Sequence, residues 1–155
     1  MATEPDTDAR VLMREMSRLC VAHRLKRAAR AVSRLYDELL TDVGVTSSQL
    51  TLICALEARP DLNMAGLAEL LAIEQSALSR AIGALERRKL VTVSRGKDQR
   101  QRVVCLTPSA RTLAKRAATR WREAQRIADA HIDDRTQLFG ALDRLADVGR
   151  ARARA

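Results

Sequence analysis

At 155 residues the chain is long enough for one domain with a substantial core, or for two small lobes sharing one. Its 28 Lys and Arg against 19 Asp and Glu give a formal net charge of +9, which suits a polyanion or an anionic membrane surface and says nothing about fold. Aromatic residues are 2% of the chain, which argues against a reader of single strands or RNA that stacks bases on aromatic platforms.

The start, "MATEPDTDAR", is acidic and apolar-poor, unlike a signal or transit peptide. No apolar run approaches the roughly 18 residues of a membrane span, so no membrane association is expected and the location expected is cytoplasmic. Cys20, Cys54 and Cys105 are odd in number and far apart, with no CxxC pair or Cys/His cluster. Neither a disulfide framework nor a metal site is expected, and no cofactor.

Ala9 to Leu40 reads as one long helix or two joined ones, without Pro or Gly from Asp6 to Val43. Its apolar stripe changes face. At roughly 100° per residue, Leu12, Met16 and Leu19 share one side, while Leu25, Ala28, Val32 and Leu35 fall nearly opposite. Either the first half packs on a second subunit, or the helix kinks near Cys20 to His23. "TDVGV" then breaks the helix. "TSSQLTLICALEARP" starts another, with Thr46 or Ser47 as N-cap and Pro60 beyond its end. A short helix, Met64 to Leu71, has Asn63 as its cap and is expected to bury Leu67, Leu70 and Leu71, with Ala68 small where a second helix crosses. After a tight turn at Ala72 to Glu74, "QSALSRAIGALERR" buries Leu78, Ile82 and Leu85.

"LVTVS" and "RVVCL" are β-branched runs around a charged loop containing Gly96, which predicts a hairpin. From Pro108 a long helix runs to about Ile132. Its Ala110, Ala114, Ala117, Trp121, Ala124, Ala128 and His131 repeat in steps of four and three, an alanine seam that a partner helix can approach closely. "RTQLFGALDRLADV" supplies a last helix with Leu138, Leu142 and Leu145, and the tail "RARARA" reads as solvated and disordered.

Two short helices joined by a tight turn, then a basic hairpin, follow the order of a winged helix-turn-helix. The fold class expected is mainly α with a small β-hairpin wing, and a helical dimerisation region built from the N- and C-terminal helices. The regions expected are 1–42 for dimerisation, 43–108 for DNA binding and 109–155 for dimerisation, intertwined as one domain. Gln75, Ser76, Ala77, Ser79 and Arg80 then face outward near the start of the second short helix, where such side chains reach base edges or phosphates in a major groove. Arg95, Lys97, Asp98, Arg100 and Arg102 gather at the wing, where phosphates supply the counter-charge. Asp98, two residues from Arg100, can hold its guanidinium in one geometry. A hairpin charged only for solubility is the plainer reading. The helix-turn-helix pattern directly before it disfavours that.

The stretch "LAELLAIEQSALSRAIGALERRKLVTVSRGKDQRQRVVCLTPSAR" resembles the core of the MarR family of winged-helix transcriptional regulators, and the similarity covers most of Leu19 to Arg111. Its most specific piece is the wing pattern of Asp98, Arg100, Leu106 and Thr107. The resemblance implies an all-α homodimer with a small winged sheet, a pseudo-palindromic double-stranded DNA operator, Arg100 in the minor groove oriented by Asp98, and a recognition helix opened by the Gln75 to Arg80 segment. It further implies repression, relieved by a small aromatic or anionic effector or by cysteine oxidation. Family members usually carry Gly where Lys89 and Ala110 stand here.

Cys20 is a candidate redox sensor, since His23 and Arg24 lie three and four residues on and can favour a thiolate. The plainer reading is a small hydrophobe at a helix contact. Cys54 reads as core, and Cys105 as an inert strand residue. His23 and His131 are candidates to line a pocket for an anionic effector, with Arg24 or Arg27; interface or surface histidines are the commoner case. Trp121 reads as an interface or core anchor. Lys26, Arg27, Arg30 and Arg34 read as a solvated basic face. There is no HExxH, Gly-rich phosphate loop, nucleophile elbow or acid pair in an evident cleft, so the chain is not expected to be an enzyme. The function expected is sequence-specific binding of double-stranded DNA; the alternatives are a helical protein-interaction module and a nonspecific DNA-coating protein.

Overall fold

The computed structural model describes residues 4–95 and 102–153. They form two compact units, Met1–Leu35 and Tyr36–Ala155, whose boundary falls inside the second helix. The first unit holds α1 (Glu4–Leu19) and most of α2 (Val21–Leu40). The break at Cys20 lies where the apolar stripe changes face. Backbone bonds bridge it, from Cys20 N–H to the Met16 carbonyl at 3.0 Å and from Arg24 N–H to the Cys20 carbonyl at 3.2 Å, so the interruption is local. No side chain described from 8 to 35 is buried. Val11, Met13 and Met16 are 56%, 67% and 70% exposed.

In the second unit, the end of α2 dives into the core at Leu40, and a 3-10 turn at Thr41–Val43 closes on Gly44. The φ of +72° at Gly44 is one that an L side chain rarely adopts, which is why the helix stops at this residue. Helix α3 (Ser47–Ala58) starts with a capping box: Gln49 N–H donates to the Thr46 hydroxyl at 3.2 Å, and Thr46 N–H donates to the Gln49 side chain at 3.3 Å. Asn63 caps α4 (Met64–Leu70) by accepting from Gly66 N–H at 2.9 Å. Helix α5 (Gln75–Arg87) follows, then an antiparallel hairpin of β1 (Val91–Arg95) and β2 (Arg102–Leu106). Thr107 caps α6 (Pro108–Asp129), whose first turn holds Pro108, and α7 (Arg135–Ala153) ends the description.

Helices α4 and α5 end the same way. After α4, Ala72 N–H bonds to the Glu69 carbonyl and Ile73 N–H to the Ala68 carbonyl; after α5, Lys89 N–H bonds to Glu86 and Leu90 N–H to Leu85. Both are Schellman ends, which need a left-handed residue, and Ala72 (φ +51°) and Lys89 (φ +58°) take that conformation without being glycine. At Lys89 the chain keeps the geometry for which the family usually supplies Gly. The buried pair Leu85 and Leu90 spans this end and holds it.

The core gathers Leu40, Ile53, Leu67, Leu78, Leu85 and Val91, all nearly inaccessible, and extends to Ala110, Leu113 and Ala117 of α6. It therefore draws residues from both sides of the 43–108 span. Ala110, Ala117 and Ala124 are fully buried within this one chain, and the first two belong to its own core rather than lying free for a partner helix.

Several expected positions are corrected. Leu70 is 42% exposed, because the inward stripe of α4 is formed by Met64, Leu67, Ala68 and Leu71, and Leu70 sits on its shoulder. Cys54 is exposed rather than core, one step round α3 from buried Ile53. Trp121 is 42% exposed, which leaves the interface reading of its two alternatives. The tail is helical to Ala153 instead of disordered from Arg150, since α7 runs on through the Arg/Ala repeat, whose residues are good helix formers.

Candidate nucleic-acid interface

Helix α5 turns Leu78, Ile82 and Leu85 into the core, and this fixes what its other faces present. Gln75, Ser76, Ser79 and Arg80 are exposed, while Ala77 is half-buried beside Leu78. Its N-cap, Glu74, makes no side-chain cap bond, so the first N–H groups of α5 depend on solvent or an incoming acceptor such as a phosphate oxygen. Across the hairpin, Val91 faces Leu106 and Val93 faces Val104, so register is set by the apolar half, and the same register puts Arg95 opposite Arg102 at the loop end. Arg102 is exposed. Lys97, Asp98 and Arg100 lie outside the described residues, as does the side chain of Arg95. Neither Arg80 nor Arg102 forms an ion pair among the described residues; Asp42, Glu57, Asp61, Glu123 and Asp129 pair with other arginines.

Two side chains position these elements, and neither was singled out as doing so from sequence. The Arg88 guanidinium, at the end of α5, donates to the Gln49 side chain at 2.8 Å and to the Gly44 carbonyl at 2.6 Å, tying α5 to the start of α3. Thr107 lies where β2 passes into α6. Its hydroxyl accepts from Ala110 N–H at 3.3 Å and is within donor reach of the Lys89 and Leu90 carbonyls at 2.9 and 3.1 Å; its N–H bonds to the Leu90 carbonyl at 3.0 Å. The far end of the wing is thereby locked to the exit of α5.

The same unit contains a half-open cavity of about 460 Å³. Tyr36 of α2, Ser47, Leu50, Thr51 and Cys54 of α3, and Ala114, Ala118 and Trp121 of α6 line it. The Tyr36 hydroxyl donates to the Gln125 side chain at 2.8 Å, Gln125 donates to Asp129 at 2.9 Å, and Arg135 donates to Asp129 at 3.2 Å while lying 4.9 Å above the Phe139 ring. Burial raises the pKa of the Tyr36 hydroxyl, with Asp129 adding to the effect and Arg135 opposing it. Burial also raises the Cys54 thiol, which packs on one side and meets solvent on the other.

Residues 43–101, the segment that contains α3, α4, α5 and β1, match the sequence profile of the MarR family. The chain therefore carries a winged helix-turn-helix segment of the MarR type.

It is accordingly a DNA-binding transcriptional regulator and not an enzyme. The solved structures agree with this. The regulator MosR of Mycobacterium tuberculosis, seen in complex with DNA, superposes with a TM-score of 0.79 at 26% identity, over 85% of this chain and 97% of that one. CouR, a transcriptional repressor bound to a 23-mer DNA duplex, gives 0.70 at 26% identity over 87% and 95%. BpsR of Bordetella bronchiseptica, whose DNA binding is regulated by 6-hydroxynicotinic acid, gives 0.72 at 25% identity over 82% and 98%. No curated protein sequence matches the chain. No single helix among the described residues is long and apolar enough to cross a membrane.

The remaining nominated residues fall in separate places. Cys20, His23, Arg24 and Arg27 are exposed in the first unit, where the Cys20 sulfur accepts from His23 N–H at 3.4 Å and the Arg24 guanidinium donates to the Arg18 carbonyl at 2.9 Å. His131 is exposed in the second unit, its Nδ1 3.0 Å from the Ile127 carbonyl. The sequence reading missed the cavity. Its signal was present as two four-residue spacings, Leu50 and Cys54 on α3 and Ala114 and Ala118 on α6, where small side chains on one helix leave room that the other does not fill.

Proposed function

We propose that this regulator is a homodimeric repressor of a pseudo-palindromic operator, with one α5 and one wing per subunit reading half-sites about one helical turn apart. The observation that carries this is the polar outer face of α5, without ion pairs among the described residues, next to a hairpin whose loop end places Arg95 opposite Arg102. In this reading Gln75, Ser76, Ser79 and Arg80 meet the major groove, with half-buried Ala77 at the edge of the contact. Arg95, Lys97 and Arg102 neutralise backbone phosphates. Arg100 enters the minor groove, whose negative potential attracts arginine, and Asp98 orients it. The exposed apolar residues of α7, Leu138, Phe139, Leu142, Leu145 and Val148, and those of α1, supply the dimer surface. A small ligand in the α2–α3–α6 cavity relieves repression, as the regulation of BpsR by 6-hydroxynicotinic acid suggests by analogy; oxidation of exposed Cys20 is the second route.

The test is fluorescence anisotropy of the protein with its own upstream intergenic DNA and with a scrambled duplex, at several salt concentrations. Nanomolar binding to the first only is expected. Arg80→Ala and Arg100→Ala are each expected to weaken binding and reduce the salt slope by about 1. Equal binding to both duplexes would leave a nonspecific DNA-coating protein, and no binding at low salt would leave a protein-interaction module.

A further inference from the structure

We infer that the ligand of the α2–α3–α6 cavity is an uncharged, largely apolar aromatic molecule and not an organic anion. The inference rests on the reading of that cavity as the effector site, and narrows it. None of the lining side chains carries a charge at neutral pH. Leu50, Ala114, Ala118 and Trp121 offer carbon surface, and Ser47 and Thr51 offer neutral hydroxyls. The two titratable members, Tyr36 and Cys54, both have pKa values raised by burial, which keeps them protonated.

An anion would have to shed water here without a cation to meet it, and an unpaired buried charge is strongly unfavourable. Three arginines on α6 and α7 are already held by acids: Arg111 by Glu57 at 3.2 Å, Arg120 by Asp42 at 2.7 Å, and Arg135 by Asp129 at 3.2 Å. Lys115 and Arg122, neighbours in sequence of Ala114 and Trp121, are exposed and do not line the cavity. What the site does offer is two aromatic faces, Tyr36 and Trp121, for a planar ring, with hydroxyls for one or two hydrogen bonds, in a volume within the usual range for small organic ligands. This chemistry suits a neutral arene, phenol or aromatic amide.

Trp121 is the only tryptophan in the chain, so fluorotryptophan labelling places a single fluorine NMR reporter in the cavity. The labelled full chain would be titrated with naphthamide and with naphthoate, which share a ring system and differ in charge. The amide is expected to shift the Trp121 resonance with at least tenfold tighter apparent binding than the carboxylate, independently of salt. Ala118→Leu and, separately, Ala114→Val, each checked for an unchanged melting transition, are expected to weaken the amide response. Equal or tighter binding of naphthoate, or no response to either probe, would overturn the inference. Anisotropy with operator DNA in the same samples separates the two readings. Amide binding that leaves DNA affinity unchanged retains the ligand class and removes the effector role. Carboxylate binding that releases DNA does the reverse.

Discussion

The winged helix-turn-helix region and the helical ends of the chain carry apolar patterns of similar strength, and use them differently. Between Leu40 and Ala117 every strong stripe is absorbed: Leu78 and Leu85 on α5, Leu67 on α4 and Ile53 on α3 are essentially inaccessible. On α1, and on α7 in the other unit, Leu12, Met16 and Leu19, and Leu138, Leu142 and Leu145, stay between 36% and 70% exposed. Periodicity identifies both sets equally well, but it says only that a face is apolar, not what covers it. The core region finishes its own burial. The ends hold apolar surface that one chain does not cover, which is what a dimer built from them requires.

The sharpest way to break this contrast is to truncate one leucine in each region. Leu85→Ala removes a fully buried side chain that also braces the Schellman end at Lys89, and should cost about 2–5 kcal/mol. Leu142→Ala, at a site 39% exposed, should change the stability of a single chain by no more than about 0.5 kcal/mol. If α7 is a dimer surface, the loss at Leu142 should instead appear as a stronger dependence of the urea midpoint on protein concentration. Equal, concentration-independent losses at the two sites would mean that the ends are stabilised within the chain.

A second, smaller effect asks how far packing in the core region overrules local preference. Lys89 holds a left-handed backbone because Leu85 and Leu90 are buried around it, so Lys89→Gly should raise stability by about 1 kcal/mol in denaturant titration. No gain would show that the extra freedom of glycine in the unfolded chain offsets the relieved strain.

The smallest effect concerns the surface of the same region. The hydrogen bond from Arg120 holds the Asp42 carboxyl below the usual carboxylate range. A depressed folded pKa contributes stability above the unfolded value of about 3.9 and loses it as pH falls through the folded value. Melting temperature measured against pH should therefore drop in acid, and Asp42→Asn should flatten part of that drop without changing the curve near neutrality beyond the loss of one exposed pair.

Much of the candidate interface was legible in sequence because it rests on short-range rules. Thr46 and Asn63 cap helices through their own side chains, β-branched runs on either side of a charged segment form the hairpin, and the buried spacing of Leu78, Ile82 and Leu85 dictates that Gln75, Ser76, Ser79 and Arg80 face out. Where the reading went wrong, a partner distant in sequence decided the outcome. Cys54 looks like core within "LTLICAL", yet it faces a gap because Ala114 and Ala118, some sixty residues on, are too small to fill it. The alanine seam of α6 looks free for another subunit, yet Ala110 and Ala117 are taken up by the chain's own core.

By itself, then, the sequence determined the helices, their caps, the hairpin, the basic wing and the outward face of α5, because each follows from neighbours within a turn or two of the chain. The tertiary structure alone decided that α5 is tied to α3 through Arg88, that the wing is locked through Thr107 to the Lys89 and Leu90 carbonyls, and that a neutral cavity opens between α2, α3 and α6. These depend on which side chains meet across long stretches of chain, and on how much volume is left between them once they do.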